Sequence, residues 1–253
     1  MSVVRDLPYG PHERHRVDVF APPGAANADV VLFVHGGAFV RGTKSVNGEI
    51  YDNLPLWFAR QGVVAVNVEY RLAPEAPYPG GAQDVADAVD WAIGHVAEYG
   101  GNAERIFLIG HSAGGAHVAT YALEPRFAAR RRTEVRGLVL ISARLRADAL
   151  PENPNAGGVR AYFGADPAAY EERSPVTYAE RCDLPVFVAI AEYENPLLDV
   201  YGLEFAHRVA RARGRAPRIV RAAGHNHTSI VAHFNTGEET LGREILAFFA
   251  TGR

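Results

Sequence analysis

The stretch Ile106-Phe107-Leu108-Ile109-Gly110-His111-Ser112-Ala113-Gly114-Gly115 constrains this chain more than any other. Four apolar residues fit a buried strand, and the alanine-rich run from Ala113 to Leu123 fits a helix that starts at once. Between them stands a serine with glycine two residues to either side. So abrupt a passage from strand to helix is strained, and a Cβ on either flank would collide with the facing strand or helix. The serine hydroxyl is thereby held at the carboxyl end of a central strand, beside the free N–H groups of a helix start. The same residues also occur in ordinary glycine-rich loops, so the rest of the chain has to decide.

The remaining elements alternate. Arg16 to Phe20 reads as an edge strand ended by Ala21-Pro22-Pro23-Gly24. Val30–Val34, Val63–Val68, Arg105–Ile109, Gly137–Ile141 and Val186–Ala191 are largely continuous apolar runs, as expected of strands covered on both faces, and Arg218–Val220 closes the series. Helical segments fall at Asn53–Gln61, at Gln83–Tyr99, directly after Ser112, and at Glu238–Phe249. Strands alternating with helices imply one parallel, helix-covered sheet, and 253 residues suit a single α/β domain spanning 1–253. From 143 to 181 the alternation breaks, with four prolines or more and little periodicity, which reads as a loop-rich lid with one short helix near Pro167 to Glu172.

Composition removes several classes of function. A formal charge of −3 favours neither nucleic acid nor a membrane surface. The cluster Arg126, Arg130, Arg131, Arg132 and Arg136 reads as a solvated helix end rather than a phosphate site. A single cysteine excludes an internal disulfide. The first residues lack an apolar leader, and no apolar run approaches the roughly 18 residues that span a bilayer. The expectation is a cytoplasmic protein without membrane or nucleic-acid partners.

The strand Val30–Val34 runs straight into His35-Gly36-Gly37-Ala38-Phe39. Two glycines past a strand end let the backbone aim its N–H groups into a cleft. The oxyanion of a tetrahedral intermediate needs such preorganised donors, each worth about 2.7–4 kcal/mol in the transition state. The N–H of Ala113, next to the serine, supplies another.

Taken together, His35-Gly36-Gly37-Ala38-Phe39, Glu69-Tyr70-Arg71-Leu72-Ala73-Pro74-Glu75 and Gly110-His111-Ser112-Ala113-Gly114-Gly115 resemble the hormone-sensitive-lipase-like branch of the α/β-hydrolase esterases, in order and spacing from about Arg16 onward. That resemblance implies an eight-stranded, mostly parallel sheet flanked by helices, and a Ser–acid–His triad in that chain order. It assigns Ser112 as nucleophile and Gly36, Gly37, Ala38 and Ala113 to the oxyanion hole, Gly36 shaping the turn. Alanine at 38 replaces a usual third glycine, which a backbone donor tolerates. Tyr70 to Pro74 matches a structural turn of the family.

A serine hydroxyl needs a base. Of ten histidines, the family's position for it narrows the choice to His225 and His227. His227 stands beside Thr228-Ser229, which start a helix, and is preferred, with His225 in reserve. The acid is expected after Val186–Ala191, where this chain reads Ala191-Glu192-Tyr193-Glu194-Asn195-Pro196-Leu197-Leu198-Asp199 and departs from the family's Asp-Pro-Leu pattern. Glu194 is preferred, Asp199 is the reserve and the better candidate for a helix cap, and Glu192 points the other way. Phe39, His111, Tyr162 and Phe163 are candidate substrate contacts. No cofactor is implied, and His225-Asn226-His227 lacks a third metal ligand nearby in sequence.

The resembling esterases carry an N-terminal cap segment that is reduced or absent here, since the first strand is expected by Arg16. An open, shallow site follows, suited to small or aromatic short-chain esters. The expected function is a carboxylic-ester hydrolase working through an acyl-enzyme, on a small-molecule ester or N-formyl substrate. An arylformamidase is the alternative enzyme, against which Phe39 stands where those enzymes resemble one another in a tryptophan. A non-catalytic hydrolase-fold binding protein is the remote alternative. An exposed edge strand or the last helix leaves a homodimer open.

Overall fold

The computed structural model describes residues 1–252 and builds one eight-stranded sheet. Its strands are β1 (Ser2–Pro8), β2 (Arg16–Ala21), β3 (Ala28–Val34), β4 (Val64–Val68), β5 (Gly101–His111), β6 (Val135–Ile141), β7 (Val186–Tyr193) and β8 (Arg218–Asn226). They lie in the order β1-β2-β4-β3-β5-β6-β7-β8. β2 pairs antiparallel with β1 and with β4, and every pairing from β4 to β8 is parallel. The helices are α1 (Asn53–Arg60), α2 (Gly80–His95), α3 (Ala113–Leu123), α4 (Ala156–Phe163), α5 (Tyr170–Arg173), α6 (Leu198–Arg213), α7 (Ser229–Ala232) and α8 (Thr240–Thr251).

The continuous apolar runs follow from burial of both sheet faces. Val30, Leu32 and Val34 of β3, with Ile106 and Leu108 of β5, face one core shared with α2, α3 and α6. Val31, Phe33, Phe107 and Ile109 face the other, against Trp57 and Phe58 of α1 and Phe248 and Phe249 of α8. Alternate residues of one strand thus serve two cores, so a polar residue at any of them would leave a buried unpaired group. Each large apolar side chain fully withdrawn from water adds about 1.5–3 kcal/mol, which makes the sheet centre the rigid part of the molecule.

Five expectations change. The first strand is β1, not Arg16–Phe20, and β2 is interior to the sheet rather than its edge. The Ser2–Pro8 residues are nearly all exposed, so ladder bonds to β2, which leave no hydrophobic pattern, define that strand. β8 runs to Asn226, six residues past the expected end, and α2 begins three residues earlier than read. The 143–181 segment is more ordered than a plain loop. It contains α4, α5 and the 3-10 stretch Pro175–Arg181, which packs on α3 and α6.

Part of the arginine cluster is paired with carboxylates: Arg126 with Glu124, Arg130 with Asp87 at 2.9 Å and Asp90 at 2.7 Å, and Arg132 with Asp90 at 2.7 Å. No helix among the described residues is long and apolar enough to cross a membrane.

Candidate active site

Ser112 separates β5 from α3 and adopts φ 54°, ψ −118°, a backbone conformation that L-residues rarely hold. Packing imposes it. A Cβ at Gly114 would stand 2.2 Å from the Val34 carbonyl oxygen, and one at Gly110 would stand 2.6 Å from that of Gly114. All residues of α3 are buried, so the helix cannot slide away to relieve the turn. The hydroxyl emerges at the carboxyl ends of β3 and β5, with the residue 9% exposed.

Ser112 Oγ lies 3.0 Å from Nε2 of His227. On the opposite side of that ring, Nδ1 lies 3.1 Å from Oε2 of Glu194. The Glu194 side chain is 3% exposed, against 16% for that of His227. Its other oxygen accepts from the Ser142 hydroxyl and from the Ala191 N–H at 3.3 Å. The carboxylate therefore has one oxygen fixed by the ends of β6 and β7 and one left for the imidazole.

The reserve residues lie elsewhere. Asp199 stands in the first turn of α6 and accepts the Val200 N–H at 2.9 Å. Glu192 accepts the Gly224 N–H at 2.7 Å and pairs with Arg221. His225 places Nε2 2.6 Å from Glu238 and Nδ1 3.2 Å from Ser229 Oγ. β8 ends at Asn226, whose side-chain oxygen accepts the Thr228 and Ser229 N–H groups at 3.0 and 2.9 Å. That cap turns the chain so that His227, and not His225, meets Ser112.

The glycine turn after β3 is equally constrained. Gly37 has φ 142°, and a Cβ there would lie 1.8 Å from the Arg41 carbonyl oxygen, because that turn closes on itself through Arg41 N–H to Gly37 O at 3.0 Å. The N–H groups of Gly37, Ala38 and Ala113 have no hydrogen-bond acceptor among the described residues. Gly36 is held just as tightly: a Cβ there would stand 2.8 Å from the Tyr51 hydroxyl and 3.0 Å from Ser112 Cβ, so only glycine fits this point of the turn.

Below the turn lies a buried carboxylate, Glu69, which accepts from Arg14, from Thr43 Oγ1 at 2.8 Å and from the Lys44 N–H at 2.8 Å, with His35 Nε2 at 3.4 Å. Burial pushes its pKa up, but His35, the Lys44 amide and Arg14 more than offset that and hold it at about 2. A permanently ionised anchor thus fastens the loop that carries Gly36 to Ala38.

The expected substrate contacts need correction. Phe39, Tyr162 and Phe163 are all buried: Phe39 stacks flat on Tyr162 at 4.7 Å and meets Phe163 edge-on at 5.2 Å. They share a core with Ala113 and Ala116 and back the site rather than face it. Aromatic side chains of this size gain more from mutual packing than from an open wall. His111 is likewise buried. Its Nε2–H donates to the carbonyl of His227 at 2.9 Å, and its Nδ1 faces the Tyr51 hydroxyl at 3.0 Å. Burial, with the His227 ring close by, pushes its pKa well below that of a free imidazole, so it stays neutral.

Sequence reasoning missed Tyr51 and Ser142. Tyr51 joins His111 and, through it, the backbone of His227; nothing in the Ile50-Tyr51-Asp52 context signals that. Burial pushes the Tyr51 phenol up to about 12, so it remains a neutral bridge. Ser142 had a signal. It directly follows a buried strand neighbouring the serine's own, and a hydroxyl there points to the same end of the sheet as Ser112.

Comparison with known proteins agrees with this architecture. The model of the alpha/beta hydrolase fold family matches residues 31–231. The chain is 38% identical over 105 residues to the esterase LipI of Mycobacterium tuberculosis, covering 41% of this chain and 32% of that one. It is 42% identical over 94 residues to the hormone-sensitive lipase of Ictidomys tridecemlineatus, covering 37% of this chain and 12% of that one. The chain thus spans a third or less of the length of these relatives. Among solved structures, a hyperthermophilic esterase of the archaeon Pyrobaculum calidifontis superposes with a TM-score of 0.75 at 26% identity, over 92% of this chain and 80% of that one. A glycine-flanked serine at the end of a central strand, a mostly parallel eight-stranded sheet and these likenesses lead to one assignment: the chain belongs to the alpha/beta hydrolase fold family, on its hormone-sensitive-lipase-like side.

Proposed function

We propose that this protein is a carboxylic-ester hydrolase of the serine type, acting on small or aromatic short-chain esters. The observation that carries the reading is the line from Ser112 Oγ to His227 Nε2 at 3.0 Å and from His227 Nδ1 to Glu194 at 3.1 Å. In this reading the Ser112 oxygen attacks the ester carbonyl carbon while His227 Nε2 takes the hydroxyl proton. Glu194 accepts the Nδ1–H, fixes the tautomer and stabilises the imidazolium without itself being protonated. The carbonyl oxygen, now anionic, accepts from Gly37, Ala38 and Ala113, whose N–H groups are already oriented. Collapse expels the alkoxide, which takes the proton from His227, and leaves an acyl group on Ser112. Water then attacks the acyl carbon with His227 again as base, and the carboxylic acid departs.

The names of the similar proteins, an esterase and a lipase, favour ester chemistry over the formamide alternative. The short-acyl preference rests on the Phe39–Tyr162–Phe163 stack, whose side chains fill the volume behind Ala113. A long chain on that side would have to displace a packed core.

Replacing Ser112 with alanine should lower kcat for nitrophenyl acetate by about 10⁴-fold or more, as loss of a triad nucleophile does. A fluorophosphonate should label the wild-type chain on the Ser112 peptide and leave the variant unlabelled. Retained turnover or labelling at another residue would end the assignment. Faster cleavage of N-formylkynurenine than of any nitrophenyl ester would turn the reading to a formamidase, and fast octanoate cleavage would remove the short-acyl preference.

A further inference from the structure

His225, the histidine left outside the triad, belongs to a second cluster. Its Nε2 lies 2.6 Å from Oε1 of Glu238, and Nδ1 of His233 lies 3.1 Å from Oε2 of the same carboxylate. One ligand atom from each of the three residues falls within 4.8 Å of the others. They border a cavity of about 270 Å³ that also reaches Trp57, Ile230 and Phe234. We propose that His225, His233 and Glu238 form a binding site for a divalent transition metal of the zinc class, independent of the triad.

Two imidazoles and one carboxylate are a donor set that suits tetrahedral zinc, with a fourth position open to water. Zinc bonds of about 2.0–2.1 Å place ligand atoms roughly 3.3 Å apart, so the cluster is already near the required spacing. The two imidazoles are neutral ligands, and Glu238 supplies the anionic charge. Ser229 Oγ stands 3.2 Å from Nδ1 of His225 and already accepts the Asn226 N–H. It can take the Nδ1 proton and leave Nε2 free for the metal, the outer contact that orients ligating histidines elsewhere. Arg221 also lines the cavity, but it is paired with Glu192.

The sequence concealed this set because only His225 of the three lies in the His225-Asn226-His227 triplet. The chain passes through α7 and returns at His233 and Glu238 before α8. A bound ion would tie the end of β8 to that return and stiffen the turn on which His227 stands.

The test uses the full chain freed of metal by EDTA and then dialysed. Zinc titrated calorimetrically should bind at one ion per chain, and cobalt(II) in its place should give the visible bands of a tetrahedral site. At hundredfold excess over its Kd, zinc should raise Tm by about 5 °C or more. His233→Ala and Glu238→Gln alter half-exposed side chains, so both should fold with the Tm of the metal-free parent while losing at least tenfold in zinc affinity. No binding by the parent, or undiminished binding by both variants, would overturn the proposal. So would binding that survives His233→Ala and disappears in His227→Ala, which would place the ion at the triad. Because binding is read without turnover, its failure leaves the hydrolase reading untouched, and the reverse holds as well.

Discussion

β5 and α3, which present Ser112, are buried at their junction on every side, whereas β8, which leads to His227, is an edge strand exposed at most of its positions. The serine is held by close packing of backbone on backbone. His227 and Glu194 are held instead by directed hydrogen bonds: His111 to the His227 carbonyl, Glu194 to the His227 ring, and Ser142 and Ala191 to Glu194. Packing positions an atom against all displacements at once, and a hydrogen bond chiefly along its own axis. One half of the site therefore tolerates almost no change of volume, and the other almost no change of polarity.

That contrast can be broken by substitution. The largest effect is expected on the hydrogen-bonded half. Glu194→Gln should cost about 10³–10⁴-fold in kcat, since an amide presents the wrong partner to the imidazole, while Tm stays close to the parent's. Asp199→Asn should leave turnover near the parent's, because that carboxylate only accepts a local N–H. A large loss in Asp199→Asn with a small one in Glu194→Gln would reverse the acid assignment. On the packed half, Gly114→Ala should act through stability. Its Cβ would meet the Val34 and His35 carbonyl oxygens at 2.2 and 2.4 Å, and backbone cannot yield as a side chain does. A loss of about 3 kcal/mol is expected, read as a Tm fall of about 6–12 °C in thermal unfolding. An unchanged Tm would show that packing is looser at the elbow than the contacts indicate. Tyr51→Phe should act more weakly than Glu194→Gln or Gly114→Ala. It removes the hydroxyl that holds His111, and kcat should fall about tenfold with KM and Tm nearly unchanged, as loss of an outer-layer contact does. Equal changes in kcat and Tm would make Tyr51 a structural residue only.

Legibility followed the same division. Features set by local sterics were readable: the elbow at Ser112, the turn at Gly37 and the apolar runs of β3, β5 and β6 each leave a local signature. β1 left none, because ladder bonds without burial impose no hydrophobic pattern. Phe39, Tyr162 and Phe163 were read as substrate contacts because an aromatic residue near a site carries the same letters whether it faces the cleft or backs it. Only their mutual stacking decides.

The amino-acid sequence by itself determined the fold class and the position of the strained serine, since alternating strands and helices and glycine spacing are properties of short segments. The tertiary structure alone decided which acid reaches His227, that Tyr51 meets His111, and that His225 joins His233 and Glu238. Those choices depend on side chains from distant segments converging at one end of the sheet. Their distances are fixed by the packing of the whole core and by no stretch of sequence.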